Sequence, residues 1–71
     1  MNELDKLRVL IPHWIEHNEE HARELRQWAE QAGAVEADIL LAAERMHHVN
    51  EPLIQVLEKL GGPLPSEHHH H

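Results

Sequence analysis

Apolar residues recur at helical spacing almost from the start of the chain. Leu4, Leu7, Leu10 and Ile11 give a first short helix an apolar side. Asn2 can cap it, and Glu3 and Asp5 occupy the opening turn, where carboxylates suit the positive end of the helix dipole. Pro12 disfavours helical geometry at Ile11 and removes an amide donor, so the chain either kinks there or, the preferred reading, restarts with Pro12 at the first helical position. From there Trp14, Asn18, His21, Leu25, Trp28 and Ala32 fall at alternating steps of four and three, and Ile15, Ala22 and Ala29 widen the stripe. Two members of that stripe are polar, Asn18 and His21, and buried polar groups require partners. Gly33 suits the left-handed end of the helix.

No turn cluster follows Gly33. Val35, Ile39, Ala42, Met46 and Val49 start another helical stripe at once, so the connection is short and the two long helices run antiparallel as neighbours. Leu40, Ala43, Ile54 and Leu57 broaden the second helix beyond one stripe, and so wide an apolar surface needs more than one neighbour. Asn50, Glu51 and Pro52 read as a cap, an acid and a first-turn proline. Leu53, Ile54, Val56, Leu57 and Leu60 make a short final helix that Gly61-Gly62-Pro63 ends. The expectation is therefore an all-α domain over residues 1–62: an antiparallel helical hairpin with short flanking helices. It closes either as a four-helix monomer or, the preferred reading, as a four-helix bundle completed by a second copy. Residues 63–71 read as a disordered tail ending in a purification tag, His68 to His71.

Size sharpens the case for a partner, because 71 residues is near the limit at which one core suffices. The sequence has no cysteine, which excludes disulfides and thiolate metal sites. With a net charge of -7 and six scattered Lys and Arg residues, no basic stripe exists for nucleic acid. No apolar run approaches the roughly 20 residues that span a bilayer, and Met1-Asn2-Glu3 lacks the start of a signal peptide, so a cytoplasmic protein with no membrane association is expected.

Chemistry concentrates in His13 to Glu24. His13, His17 and His21 stand four apart, and with Glu16, Glu20 and Glu24 they form a polar band on one side of a helix. A turn at Gly33 sets His21 and Glu20 level with residues 45–47, where Glu44 and His47 make an E-x-x-H pair. Together with a carboxylate from a neighbouring helix, such a pair supplies the ligands of carboxylate-bridged metal bundles. His21, Glu44 and His47, helped by Glu20 or His17, are thus candidate ligands for a divalent ion such as zinc, nickel or iron. The plainer reading stands beside it: exposed helices are often rich in Glu and His, and a His on an apolar stripe is commonly satisfied by a neighbour such as Asn18 or Glu44. Trp14 and Trp28 read as core or interface anchors.

The run Glu16-His17-Asn18-Glu19-Glu20-His21-Ala22, continuing through Leu25 to Trp28, resembles one helix of the short two-helix ferritin-like proteins known as encapsulated ferritins. The resemblance implies assembly from dimers and iron oxidation between subunits. It departs from that pattern three residues before His21, where Asn18 replaces a glutamate, and a neutral amide cannot bridge two irons. The whole chain is also similar to small bacterial and archaeal helical domains without an assigned role. Two functions stay open: a non-catalytic helical dimerisation or interaction module, and a His/Glu metal-binding bundle for storage, delivery or sensing. Catalysis is not expected, because no nucleophile beside a base and no enclosed pocket can be read from the pattern.

Overall fold

The computed structural model describes residues 2–65, and these are all-helical: α1 (Glu3–Ala29), α2 (Glu36–His48) and α3 (Asn50–Lys59), with a single 3-10 turn at Gly33–Val35. The His68–His71 segment and most of the expected tail lie outside the described residues. Asn2 opens α1 as its composition suggests, its Oδ1 accepting the Asp5 amide at 2.8 Å. The reversal falls where glycine permits it, at Gly33 with φ +59°. Beyond it the chain doubles back along α1. Asn18 meets Asn50, Glu19 meets His47 and Arg8 meets Gly62, so the α2–α3 arm runs antiparallel to α1.

The expected restart at Pro12 does not occur; α1 is one helix of 27 residues with Pro12 inside it. The physical reason lies at the far end of the chain. Proline at position 12 cannot donate to the carbonyl of Arg8, which leaves that oxygen without its helical partner. The Leu64 amide takes it instead, at 3.1 Å. Arg8 strengthens the same attachment with its side chain, donating from Nε to the Gly62 carbonyl at 2.6 Å and from a terminal nitrogen to the Gly61 carbonyl at 3.1 Å. Gly61 and Gly62, at φ +104° and +92°, let the backbone turn into this position. Leu64, expected to belong to a loose tail, is thereby tied to α1.

In the arm, the interruption near Pro52 is a single residue. Val49 keeps nearly helical backbone angles between α2 and α3. Asn50 is not the cap that its neighbours Glu51 and Pro52 suggest; its side chain turns inward and is 4% exposed.

The seam between α1 and the arm also differs from the expected stripe. Every residue of the set Ile11, Ile15, Asn18, Ala22, Leu25, Ala29 and Ala32 is buried or half-buried. The arm answers with Ile39, Ala43, Met46, Asn50, Leu53, Leu57 and Leu60, again at steps of four and three. Trp14, His21 and Trp28 sit one position to the side of this seam, and Trp14 and Trp28 are 44% and 66% exposed. Alanines at 22, 29 and 43 explain the choice, since they let two helix backbones approach closely where tryptophan would hold them apart. The cost is a thin core. Ile11, Ala22, Ala29 and Ala43 are the buried apolar residues, and Ile11 alone among the fully buried side chains is large. The molecule measures 48 × 26 × 14 Å, one helix layer deep.

Candidate functional site

Two features survive this geometry as candidates: a polar bridge that crosses the seam, and an apolar flank that nothing covers.

The bridge is built on Asn50. Its Oδ1 accepts from Asn18 Nδ2 at 2.9 Å, and its own Nδ2 donates to Glu19 Oε1 at 3.0 Å and to the Ile15 carbonyl at 3.4 Å. His47 completes it by donating from Nδ1 to the same Glu19 oxygen at 2.6 Å. No buried side-chain nitrogen or oxygen among the described residues is left without a partner. Asn18, which with Glu44 is a candidate neighbour for His21, pairs with Asn50 instead. Asn50 and Glu19 are the site residues that the expected stripes miss. The signal for Asn50 was present, because the steps 39, 43, 46, 50 and 53 pass through it if they are not stopped at the proline.

The His47 hydrogen bond holds the Glu19 carboxyl below the ordinary value of 4.5; partial desolvation opposes this, while the Asn50 amide and the charges of His47 and Arg26 assist it. A carboxyl whose folded value is depressed adds stability that is whole above the unfolded value and fades as pH falls through the folded one. Chemical denaturation across a pH series should therefore show native protein losing stability below the ordinary carboxylate value of 4.5. Glu19→Gln should start less stable at neutral pH and converge with the native chain in acid. Parallel curves for the two proteins would show that the bridge does not titrate.

The expected ligand set does not gather within one chain. His17 Nδ1 faces Glu20 at 4.0 Å and His21 Nδ1 faces Glu24 at 3.4 Å, both within α1. His47 is taken by Glu19, and Glu44 lies 3.9 Å from His48, which turns its Nδ1 to Glu51 at 2.9 Å. Among the described residues, no three His, Cys, Asp or Glu side chains are grouped so as to hold an ion. His21 is 62% exposed at its side chain rather than seated on the core stripe. The reason is the rotation of the seam described above, which carries His21 to one flank while the Glu19–His47 pair marks the other.

Those flanks differ in character. In an antiparallel helix pair, the positions bordering the seam on one side of each helix lie together. Glu19 and His47 define one border, where sevenfold spacing adds Pro12, Arg26, Leu40 and Ile54. The opposite border carries Leu7, Trp14, His21 and Trp28 from α1. Its row from the arm is Val35, Ala42, Val49 and Val56, again seven apart. Both tryptophans and all three valines of this border are exposed large apolar residues. No enclosed cavity exists among the described residues, so neither border opens into a pocket.

An all-helical domain with a hydrogen-bonded polar bridge in its seam is the class these observations define. The chain belongs to the family described as a domain of unknown function, DUF8180, whose family model covers residues 7–60. The matched span ends at Leu60, the last residue of the seam, and therefore takes in the whole bridge and both borders. No curated protein matches the chain, and no solved structure does.

Proposed function

We propose that this chain is a non-catalytic helical association module that acts as a homodimer, two copies packing their layers into a four-helix bundle. One observation carries the reading: Trp14 and Trp28 stand exposed on the same border as three valines, in a layer where only four apolar residues are buried among the described ones. Exposed apolar surface gathered on one face marks an association surface, and a bundle of two layers gives a core that one layer lacks. No helix among the described residues is long and apolar enough to cross a membrane. A net charge of -7 and the lack of cysteine support a cytoplasmic setting without nucleic acid. Light scattering on tag-free protein tests it, with a mass twice that of a single tag-free chain expected. A single-chain mass at every concentration would end the proposal.

A second reading, binding of zinc, nickel or iron, is favoured by the His17–His21 pair. Both rings are largely exposed, with Nδ1 turned toward a carboxylate one turn on, so neither is taken up by the seam. Histidines four apart on a helix form a two-point hold for zinc. Two ligands are too few for a closed site, so a second copy must supply the rest. Glu44 and His47 border the other side of the seam, away from His17 and His21. The ferritin-like resemblance of Glu16 to Trp28 fits this reading in outline. Repeating the scattering and melting measurements with zinc tests it. The expectation is a higher melting temperature that His21→Ala abolishes while leaving the fold intact, and no response to zinc would remove the reading.

A further inference from the structure

We infer that two copies meet through the border holding Trp14, His21 and Trp28, with α1 of each copy lying on the α2–α3 arm of the other. The inference rests on the homodimer proposed above and names its contact face and pairing.

The choice of face follows from composition. The border around Glu19 and His47 carries a proline, an arginine and the ion-paired bridge, and its apolar residues are Leu40 and Ile54 alone. Burying it would take charged groups out of water. The opposite border is interrupted only by His21. A face of 48 × 26 Å, about 1,200 Å² in projection, also exceeds the roughly 800 Å² that each partner contributes to a standard interface.

The pairing follows from size. On this border α1 presents Leu7, Trp14, His21 and Trp28, all bulky; the arm presents three valines and an alanine. Placing α1 on the partner's α1 would set tryptophan against tryptophan along one edge and valine against alanine along the other. The layers would be wedged apart on one side and gape on the other, and voids forfeit packing energy. Placing α1 on the partner's arm sets large against small along both edges.

The heights agree as well. Within one chain the Asn18–Asn50 and Glu19–His47 contacts place His21 level with a point between Ala42 and Val49. The same register puts Trp14 between Val49 and Val56, and Trp28 between Val35 and Ala42. A two-fold axis parallel to the helices preserves height, so each bulky residue of one copy enters a gap between small residues of the other. The two copies of His21 are then separated, each against the partner's Ala42 and Val49.

Because the chain has no cysteine, the arrangement can be read by disulfide formation. Tag-free His21→Cys and Val49→Cys chains are prepared separately, mixed as unfolded chains, refolded and oxidised. Both positions are exposed in the single chain, so neither change threatens its fold. The mixed 21-to-49 disulfide is expected above its statistical share. Preferential self-linkage of His21→Cys would mean that α1 lies on α1 and would overturn the pairing. Faster linkage through Leu40→Cys or Ile54→Cys would overturn the face. A single-chain mass in light scattering of the unmodified protein would instead overturn the homodimer itself. As a check free of substitutions, dilution of the native chain should shift tryptophan emission to the red as Trp14 and Trp28 become wet; emission independent of dilution in a range where the mass halves would also refute the face.

Discussion

Replacing Trp28 with glutamate leaves a helical chain that no longer associates. Trp28 is the most exposed large apolar residue among those described, so its indole contributes little to the seam of its own layer. In the proposed bundle the same indole enters the gap between the partner's Val35 and Ala42, and a carboxylate there would be stripped of water without a counter-charge. Buried aromatic anchors are typically worth about 2–4 kcal/mol when truncated, roughly 30- to 1,000-fold in Kd. Sedimentation equilibrium measures the loss, and circular dichroism over the same concentrations shows whether helix survives it. Leu41→Glu is the control, because Leu41 is exposed but lies away from both borders of the seam. Equal association of the Trp28 variant and the native chain would remove this face from consideration.

The second large effect belongs to Asn50. Asn50→Ala removes at one stroke the acceptor for Asn18 and the donor to Glu19 and to the Ile15 carbonyl. Leaving buried polar groups unpaired costs about 1–3 kcal/mol, and in a domain of this size each kcal/mol lowers Tm by about 4–8 °C. The measurement must hold chain concentration fixed, since the proposed association would add to apparent stability. Replacing Asn18 and Asn50 together by leucine has the opposite sign. The double variant should melt higher than native protein, because an apolar pair needs no hydrogen bonds. It should also populate more than one register or assembly size, as happens when the one polar pair in a helical seam is removed. A double variant both less stable and uniform in size would show that the bridge acts by energy rather than by selection of register.

How far the sequence discloses the molecule depends on the kind of decision each residue records. The all-helical class is legible because apolar residues never depart from helical spacing, and the reversal is legible because Gly33 has the one backbone conformation that side chains resist. The inward side of α1 is not. Positions 14, 21 and 28 and positions 15, 22 and 29 border the same central residues, and apolar area favours the side with two tryptophans. What decides otherwise is the distance between helices, which the alanines set and which no single stripe reveals. Pro12 misleads for a similar reason: its missing donor breaks a helix only if the orphaned carbonyl finds nothing else, and Leu64 supplies a partner from the opposite terminus. At the candidate site, the need of Asn18 for a partner is evident from its place among apolar residues. The identity of that partner is hidden, because Asn50-Glu51-Pro52 has the composition of a helix start. The metal constellation drawn from His21, Glu44 and His47 fails within one chain by the same rotation that exposes the tryptophans.

The clasp between Arg8 and the Gly61–Leu64 segment gives the molecule a polarity. It pins the exit of the chain beside the early turns of α1, at the end remote from Gly33. In the proposed homodimer, with its axis along the helices, both exits would emerge at one pole and both reversals at the other. A segment joined after Pro65 would then leave the proposed bundle beside its counterpart from the other copy.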